Sequence, residues 1–211
     1  MISNERKQKL LDQLSRYLPD GFEQLVADLI LEYPCKFVVA KPRATKLGDY
    51  RAPFPPVKHH QITVNGNLNK YSFLVTTLHE FAHLHCYVEF GRSVKPHGEE
   101  WKACYRKLIL NALHLQLIPK DLEIALVNSL ANMKASSCTD LQLSKALRKF
   151  DLQKENETLL SDIPKNSTFA LSGRVFRKGE LRRTRYVCEE VNTKRQFLVH
   201  THAEIKLITN E

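Results

Sequence analysis

The segment Tyr71-Ser72-Phe73-Leu74-Val75-Thr76-Thr77-Leu78-His79-Glu80-Phe81-Ala82-His83 decides how this chain reads. Its apolar residues, free of glycine and proline, predict one buried helix running to about Phe90. At 3.6 residues per turn His79 and His83 fall about 40° apart, so both imidazoles can reach one ion. Glu80 stands on the flank of that face, placed to meet a metal-bound water rather than the metal. Such a cluster on a buried helix would be costly without a cation to satisfy it. The bland alternative is a half-exposed helix whose two histidines only hydrogen-bond to neighbours. A zinc ion held there would bring the pKa of its water down to ~7 and polarise a carbonyl, with Glu80 as the catalytic base that takes and delivers the proton.

A catalytic zinc of this kind needs a third protein ligand. In the extended metzincin pattern a glycine and a histidine would fall at positions 86 and 89. Cys86 and Glu89 stand there instead, which excludes that class. His97 is the preferred candidate: it follows a loop containing Gly91 and Pro96, where His97-Gly98-Glu99-Glu100-Trp101 opens a new helix. A histidine at a helix start can fold back onto the motif helix across a short loop. Glu99 or Glu100 is the rival, giving two histidines and a carboxylate.

The context Thr76-Thr77-Leu78-His79-Glu80-Phe81-Ala82-His83, followed by His97-Gly98 and Trp101, resembles the SprT-like metalloproteases. Leu47-Gly48-Asp49-Tyr50 and Ile62-Thr63-Val64-Asn65 match that family's usual lead-in, and the resemblance spans about residues 15–115. It implies a zincin-like metallopeptidase domain with three-histidine zinc ligation. The eukaryotic members cleave protein crosslinked to DNA in a DNA-dependent way. Many members end in a four-cysteine zinc ribbon, and only Cys188 stands in the corresponding stretch here. His200 and His202 are nearby, but without a C-x-x-C pair a second zinc site is not expected.

Working outward from the motif, residues 1–150 read as an α+β domain, mostly helical with a small sheet. Leu10, Leu11, Leu14, Tyr17 and Leu18 mark a first helix that Pro19 stops. A second is placed from near Asp20, with Glu23 as capping partner, to just before Pro34. Residues 37–40, and Ile62 with Val64, read as strands, and the proline-rich basic stretch 41–58 between them as loop. After the motif helix come helices over residues 98–114 and 122–133, then a short one opened by Thr139 with Gln142 completing a capping box. Residues 151–167 are polar and read as a linker. Residues 168–211 carry short strand-like runs at 169–171, 174–176, 185–187 and 196–199, a small all-β module that is either a degenerate zinc ribbon or a small barrel.

The net charge is +9, and over half of it lies from Lys165 onward. Arg174, Arg177, Lys178, Arg182, Arg183 and Arg185 are therefore the candidate nucleic-acid contacts. They alternate with Phe169, Phe176, Tyr186 and Phe197, so that cations would neutralise phosphates and rings would stack on bases. Strand alternation places Arg183 and Arg185 on one face and Tyr186 on the other. The competing reading is a solvated face on a module that packs through its aromatics.

Five scattered cysteines without a C-x-x-C pair suit free thiols in a reducing compartment better than a disulfide framework. No apolar run approaches the ~18 residues that span a bilayer, and the polar start lacks the apolar stretch of a signal peptide. A cytoplasmic protein is expected, near the nucleoid if it binds DNA. Its expected cofactor is Zn2+ and its partners a protein substrate and single-stranded or damaged DNA, with no membrane and no nucleotide cofactor. The leading function is zinc-dependent endopeptidase action on proteins at nucleic acid. The rival is a DNA- or transcription-associated binding protein with a structural zinc and little peptidase activity, which would have no need of Glu80. A general cytosolic peptidase without nucleic-acid dependence is the third reading.

Overall fold

The computed structural model describes residues 4–43, 46–131, 133, 140–151, 157–201 and 203–208. It divides into two compact units, Met1–Asp151 and Leu152–Glu211. The described residues form six α-helices and two sheets, a mixed α and β protein. No helix among them is long and apolar enough to cross a membrane.

The first unit runs α1 (Asn4–Leu14), α2 (Glu23–Glu32), β1 (Cys35–Ala40), β2 (Gly48–Arg51), β3 (His60–Asn65), α3 (Lys70–Phe90), α4 (Glu99–His114), α5 (Lys120–Ala131) and α6 (Leu141–Arg148). Helix α3 is its axis. Asn69 starts α3: its Oδ1 accepts the Ser72 N–H at 2.8 Å, satisfying a donor that the first turn leaves unpaired. The Asn69 Nδ2 donates to Leu147 O at 3.0 Å, tying that end to α6. Gly91 ends the helix at φ 76°, where its N–H donates to Tyr87 O. Between the caps the consecutive residues Phe73, Leu74, Val75, Thr76, Thr77 and Leu78 are all buried, and at 100° per residue they face every side, so α3 is enclosed rather than one-sided. Phe37 of β1 packs on it from one side, with ring centroids 6.2 Å from Phe81 and 6.4 Å from Phe73. Trp101, Tyr105, Leu108 and Ile109 of α4 are buried in the same core.

The sheet order is β1-β3-β2, with β3 central, parallel to β1 and antiparallel to β2. Strand β2 lies inside the stretch read as loop. No apolar alternation announces it, because Asp49 holds Lys46 at 2.6 Å and Arg51 at 2.9 Å while Tyr50 faces the site described below. Two helix starts also differ from expectation. Helix α2 begins at Glu23, three residues after Asp20; the Glu23 carboxylate accepts the Gly21 N–H at 2.8 Å, and Phe22 at the cap offers no side-chain acceptor. Helix α6 is capped by Asp140, which accepts the N–H groups of Gln142 and Leu143. Thr139, read as the cap, lies outside the described residues.

The second unit runs β4 (Glu157–Leu159), a 3-10 turn (Leu160–Asp162), β5 (Thr168–Leu171), β6 (Arg174–Arg182), β7 (Arg185–Glu190), β8 (Gln196–His200) and β9 (Glu204–Leu207). All pair antiparallel in the order β4-β9-β5-β6-β7-β8. The stretch 151–167 is thus not simply a linker, since it supplies β4 and the turn. Their Leu159 and Leu160, with Ile163 after them, are buried. The strand order ends at β4 and β8, and just beyond these strands the Ser161 N–H donates to Thr201 O at 2.9 Å. Leu160, Phe169, Phe176, Cys188 and Ile205 make the core. Strand β6 is irregular between Lys178 and Leu181. A Cβ at Gly179 would stand 2.2 Å from Val187 O, so the two backbones approach more closely there than any other residue permits.

Candidate metal centre

Helix α3 supplies His79, Glu80 and His83, and the residue two before α4 supplies His97. The Nε2 atoms of His83 and His79 each lie 3.1 Å from His97 Nε2. A neutral imidazole nitrogen carries either one proton or one lone pair, so His97 Nε2 cannot serve both neighbours as a hydrogen-bond partner. What satisfies three converging ring nitrogens is a shared cation. Zinc–nitrogen bonds of about 2.0–2.1 Å in tetrahedral geometry put the nitrogens about 3.3 Å apart, close to what is observed. These three are the group of potential ligands found among the described residues, with all their donor atoms within 4.8 Å of one another.

Backbone and packing both work to hold the trio. His97 sits at φ 58°, a left-handed conformation that costs a side-chain-bearing residue roughly 1–2 kcal/mol. Gly98 follows as the cap of α4. Trp101, one turn into α4 and 2% exposed, touches all three rings, with centroids 4.7 Å from His79, 5.2 Å from His83 and 4.5 Å from His97. It stacks in turn on Tyr105 at 5.0 Å. The imidazoles are kept neutral, the form that binds a metal. Burial, then the neighbouring His83 and His97, pushes His79 down to about 3. Burial and His97 push His83 down to about 4, and burial lowers His97.

Glu80 is 7% exposed. Burial and then the Asp49 carboxylate push its carboxyl up to about 7, against the pull of Arg43, Lys46 and the Tyr50 backbone. Strand β2 lies directly over it. A Cβ on Gly48 would stand 2.5 Å from Glu80 Oε1, so this glycine leaves the space that the carboxylate fills. Two positions further along, the Tyr50 ring lies parallel to His83 with centroids 6.2 Å apart, and its hydroxyl shares a 2.9 Å hydrogen bond with His60 Nδ1. Gly48, Tyr50 and His60 carry no ligand spacing. The signal that would have found them is a glycine at a close approach, next to a strand pairing that only the fold reveals.

Among the sequence candidates, His79, His83 and His97 come together. Glu99 does not join them: its side chain is 87% exposed and its carboxylate holds Lys102 at 2.7 Å. His85 packs instead on Tyr33 and lies 3.7 Å from Glu32. Cys86 is buried, whereas Phe90 at the end of α3 is 40% exposed.

The second unit sorts its cations. Lys178 is not available to nucleic acid: it is 4% exposed, donates to Ile163 O at 2.6 Å and lies 3.9 Å over the Tyr186 ring. Arg174 is committed to Glu190 at 2.5 Å and lies over Phe197. Arg177, Arg182, Arg183 and Arg185 are exposed. Arg183 is not on a strand face with Arg185: it sits at φ 61° in the turn between Arg182 and Arg185, which pair across the ladder. Phe169 and Phe176 are buried against each other at 5.7 Å, and Phe197 meets Phe176 at 5.7 Å, so these rings serve the core rather than a stacking platform. Cys188 is fully buried and joins no ligand group among the described residues; His202 lies outside them.

Two histidines and a glutamate on one buried helix, met by a third histidine across a short loop, thus form a group that could hold a metal ion beside a buried carboxylate. The model of the SprT-like family matches residues 8–120, and the chain belongs to that family. Its members are associated with metallopeptidase activity and generally depend on zinc. No curated protein and no solved structure matches the chain.

Proposed function

We propose that the first unit is a zinc-dependent endopeptidase of zincin type, with the metal on His79, His83 and His97 and with Glu80 as general base. The observation that carries this is the convergence of three neutral imidazole nitrogens beside a buried carboxylate. A zinc ion bound there supplies the Lewis acidity that activates water and polarises the scissile carbonyl. Glu80, with its pKa raised to about 7, is matched to accepting a proton from the attacking water near neutral pH and returning it to the leaving amine. Trp101 fixes the three imidazole planes, and Gly48 leaves the base its room. A purely structural zinc would take four protein ligands and would not reward the desolvation of Glu80.

The experiment compares metal content and peptide turnover in three proteins. Glu80→Gln should keep about one zinc per chain and lose hydrolysis, since an amide accepts no proton from water. His97→Ala should lose zinc as well as activity, while Glu99→Ala should lose neither. Turnover in Glu80→Gln equal to that of the parent would remove Glu80 as the base.

The substrate class we assign is protein bound or crosslinked to DNA, and the support lies in the β6–β7 hairpin. Arg182 and Arg185 face each other in register with Arg183 in the turn between them, and none forms an ion pair among the described residues. Like charges directly opposed are destabilising, and a polyanion relieves them. DNA binding by the full chain at low salt, weakened several-fold in Arg182→Glu/Arg183→Glu/Arg185→Glu with zinc content unchanged, is the expected result. Equal binding by the triple variant would move the nucleic-acid site elsewhere.

A further inference from the structure

Strand β1 is the opposite edge of the first sheet from β2, and among the described residues no strand pairs with its outer side. Along that side runs a groove of about 710 Å³, within the size range of ligand sites. Cys35, Lys36, Phe37 and Val39 all line it. Successive side chains of a strand point to opposite faces, so a groove that touches 35, 36 and 37 alike runs along the backbone edge itself. Its far wall is α1, through Lys9, Leu10, Gln13 and Leu14, with Tyr17 beyond the helix end and Ile30 of α2 below.

The geometry points to this groove as a docking site for an extended acidic peptide segment, added to β1 as a further strand. Three features select that occupant. An unpaired edge presents N–H and C=O groups in alternation, which another polypeptide backbone matches and a phosphodiester chain, carrying acceptors only, does not. Its lining includes Lys9, Arg16 and Lys36, all exposed and without an ion-pair partner among the described residues, and no acidic side chain. Between these cations the floor is apolar, from Leu10, Leu14, Ile30, Phe37 and Val39, which suits a strand whose apolar residues alternate with acidic ones. Lys36 on the open edge repels basic strands and pairs with a carboxylate set opposite it. The six residues of β1 offer about 20 Å of edge. The groove lies two strand spacings, about 10 Å, from the edge over Glu80, so its occupant leaves the metal cleft open.

The test uses the full chain and a fluorescein-labelled six-residue peptide of alternating glutamate and valine, followed by anisotropy and by backbone hydrogen exchange. Saturable binding should come with slowed exchange in residues 35–40. The lysine–valine counterpart should bind about tenfold more weakly, as should the acidic peptide on Lys36→Glu, an exposed position whose change leaves the core untouched. An acidic peptide N-methylated at alternate residues keeps its charge and loses its donors; it too should bind about tenfold more weakly. Failure of the acidic peptide to saturate, equal binding of the N-methylated form, or protection outside β1 would each overturn the proposal. So would a DNA oligonucleotide that displaces the peptide and protects the same amides. None of these readouts depends on peptidase activity, so they stand apart from the fate of the catalytic reading.

Discussion

Replacing Gly48 with alanine tests whether β2 sets the position of Glu80. An alanine Cβ there would stand 2.5 Å from Glu80 Oε1, 2.8 Å from Glu80 Cγ and 2.8 Å from Thr76 Cγ2. Restoring an ordinary 3.4 Å contact means moving the carboxylate oxygen by about 0.9 Å, or lifting the strand. The strand is held by its ladder to β3 and Thr76 by its enclosed helix, so the side chain of Glu80 yields first. A misplacement of about 1 Å in a reacting geometry costs on the order of 100-fold in rate. Overpacking a well-filled site costs about 1–3 kcal/mol, which for a unit of this size lowers the melting temperature by about 2–12 °C. Zinc content should not change, because the nearest contacts of a Cβ at Gly48 belong to Glu80 and Thr76, neither of them a proposed ligand. The assays are metal content, thermal melting and initial rates on a labelled protein substrate. Gly91→Ala is the control: nothing lies within 4 Å of its Cβ position, yet φ is 76°, so it should lose stability and keep its rate. Parental turnover and melting in Gly48→Ala would refute the account. Equal rate loss in Gly91→Ala would reduce it to general destabilisation.

Three other outcomes are expected. Binding of single-stranded DNA through Arg182, Arg183 and Arg185 should show a log–log salt slope near −2, and a slope near −7 would mean that the whole basic stretch is engaged. The Glu190 carboxyl is held down to about 2 by hydrogen bonds from Arg174 and Thr193, so its contribution to stability is present above the ordinary 4.5 and is lost as pH falls toward 2. Denaturation midpoints at pH 6 and pH 3 should therefore converge in Arg174→Ala relative to the parent. Lys178→Ala should destabilise the second unit by about 1–3 kcal/mol, since it strips the Ile163 carbonyl of a buried donor, and should leave DNA binding unchanged.

The parts legible in the sequence are those in which one periodicity carries both packing and chemistry. Helix α3 is legible because its run free of glycine and proline marks a helix buried on every side, and helical spacing puts His79 and His83 on one side. His97 was legible as well, because Gly98 and the acidic first turn mark a helix start at the right loop distance. Strand β2 was hidden for a physical reason. It has four residues, two of them charged, and its pairing to β3 follows from sheet assembly rather than from any alternation of its own. Gly48 and Tyr50 were therefore visible as residues but not as neighbours of Glu80 and His83. Strands β4 and β9 are hidden similarly: three and four residues are too few to show a period of two, and neither carries the unbroken apolar run that marks Phe169-Ala170-Leu171 in β5.

Charge was the least transferable signal, because a count does not say what each cation is bound to. In the second unit Lys178 spends its ammonium on a carbonyl and a ring inside the fold, and Arg174 spends its guanidinium on Glu190. Lys165 is taken by Glu180 and Lys194 lies near Glu189. Arg177 stands across the ladder from Glu189. What remains unopposed is concentrated where the chain reverses between β6 and β7, and there two arginines are placed in register against their own repulsion. A fold gains nothing from that arrangement by itself. A turn that carries three arginines at the end of the β6–β7 hairpin does gain from a phosphate backbone, whose oxygens each guanidinium can grip with two donors. The hairpin tip, rather than the +9 of the whole chain, is therefore the physical argument for nucleic acid.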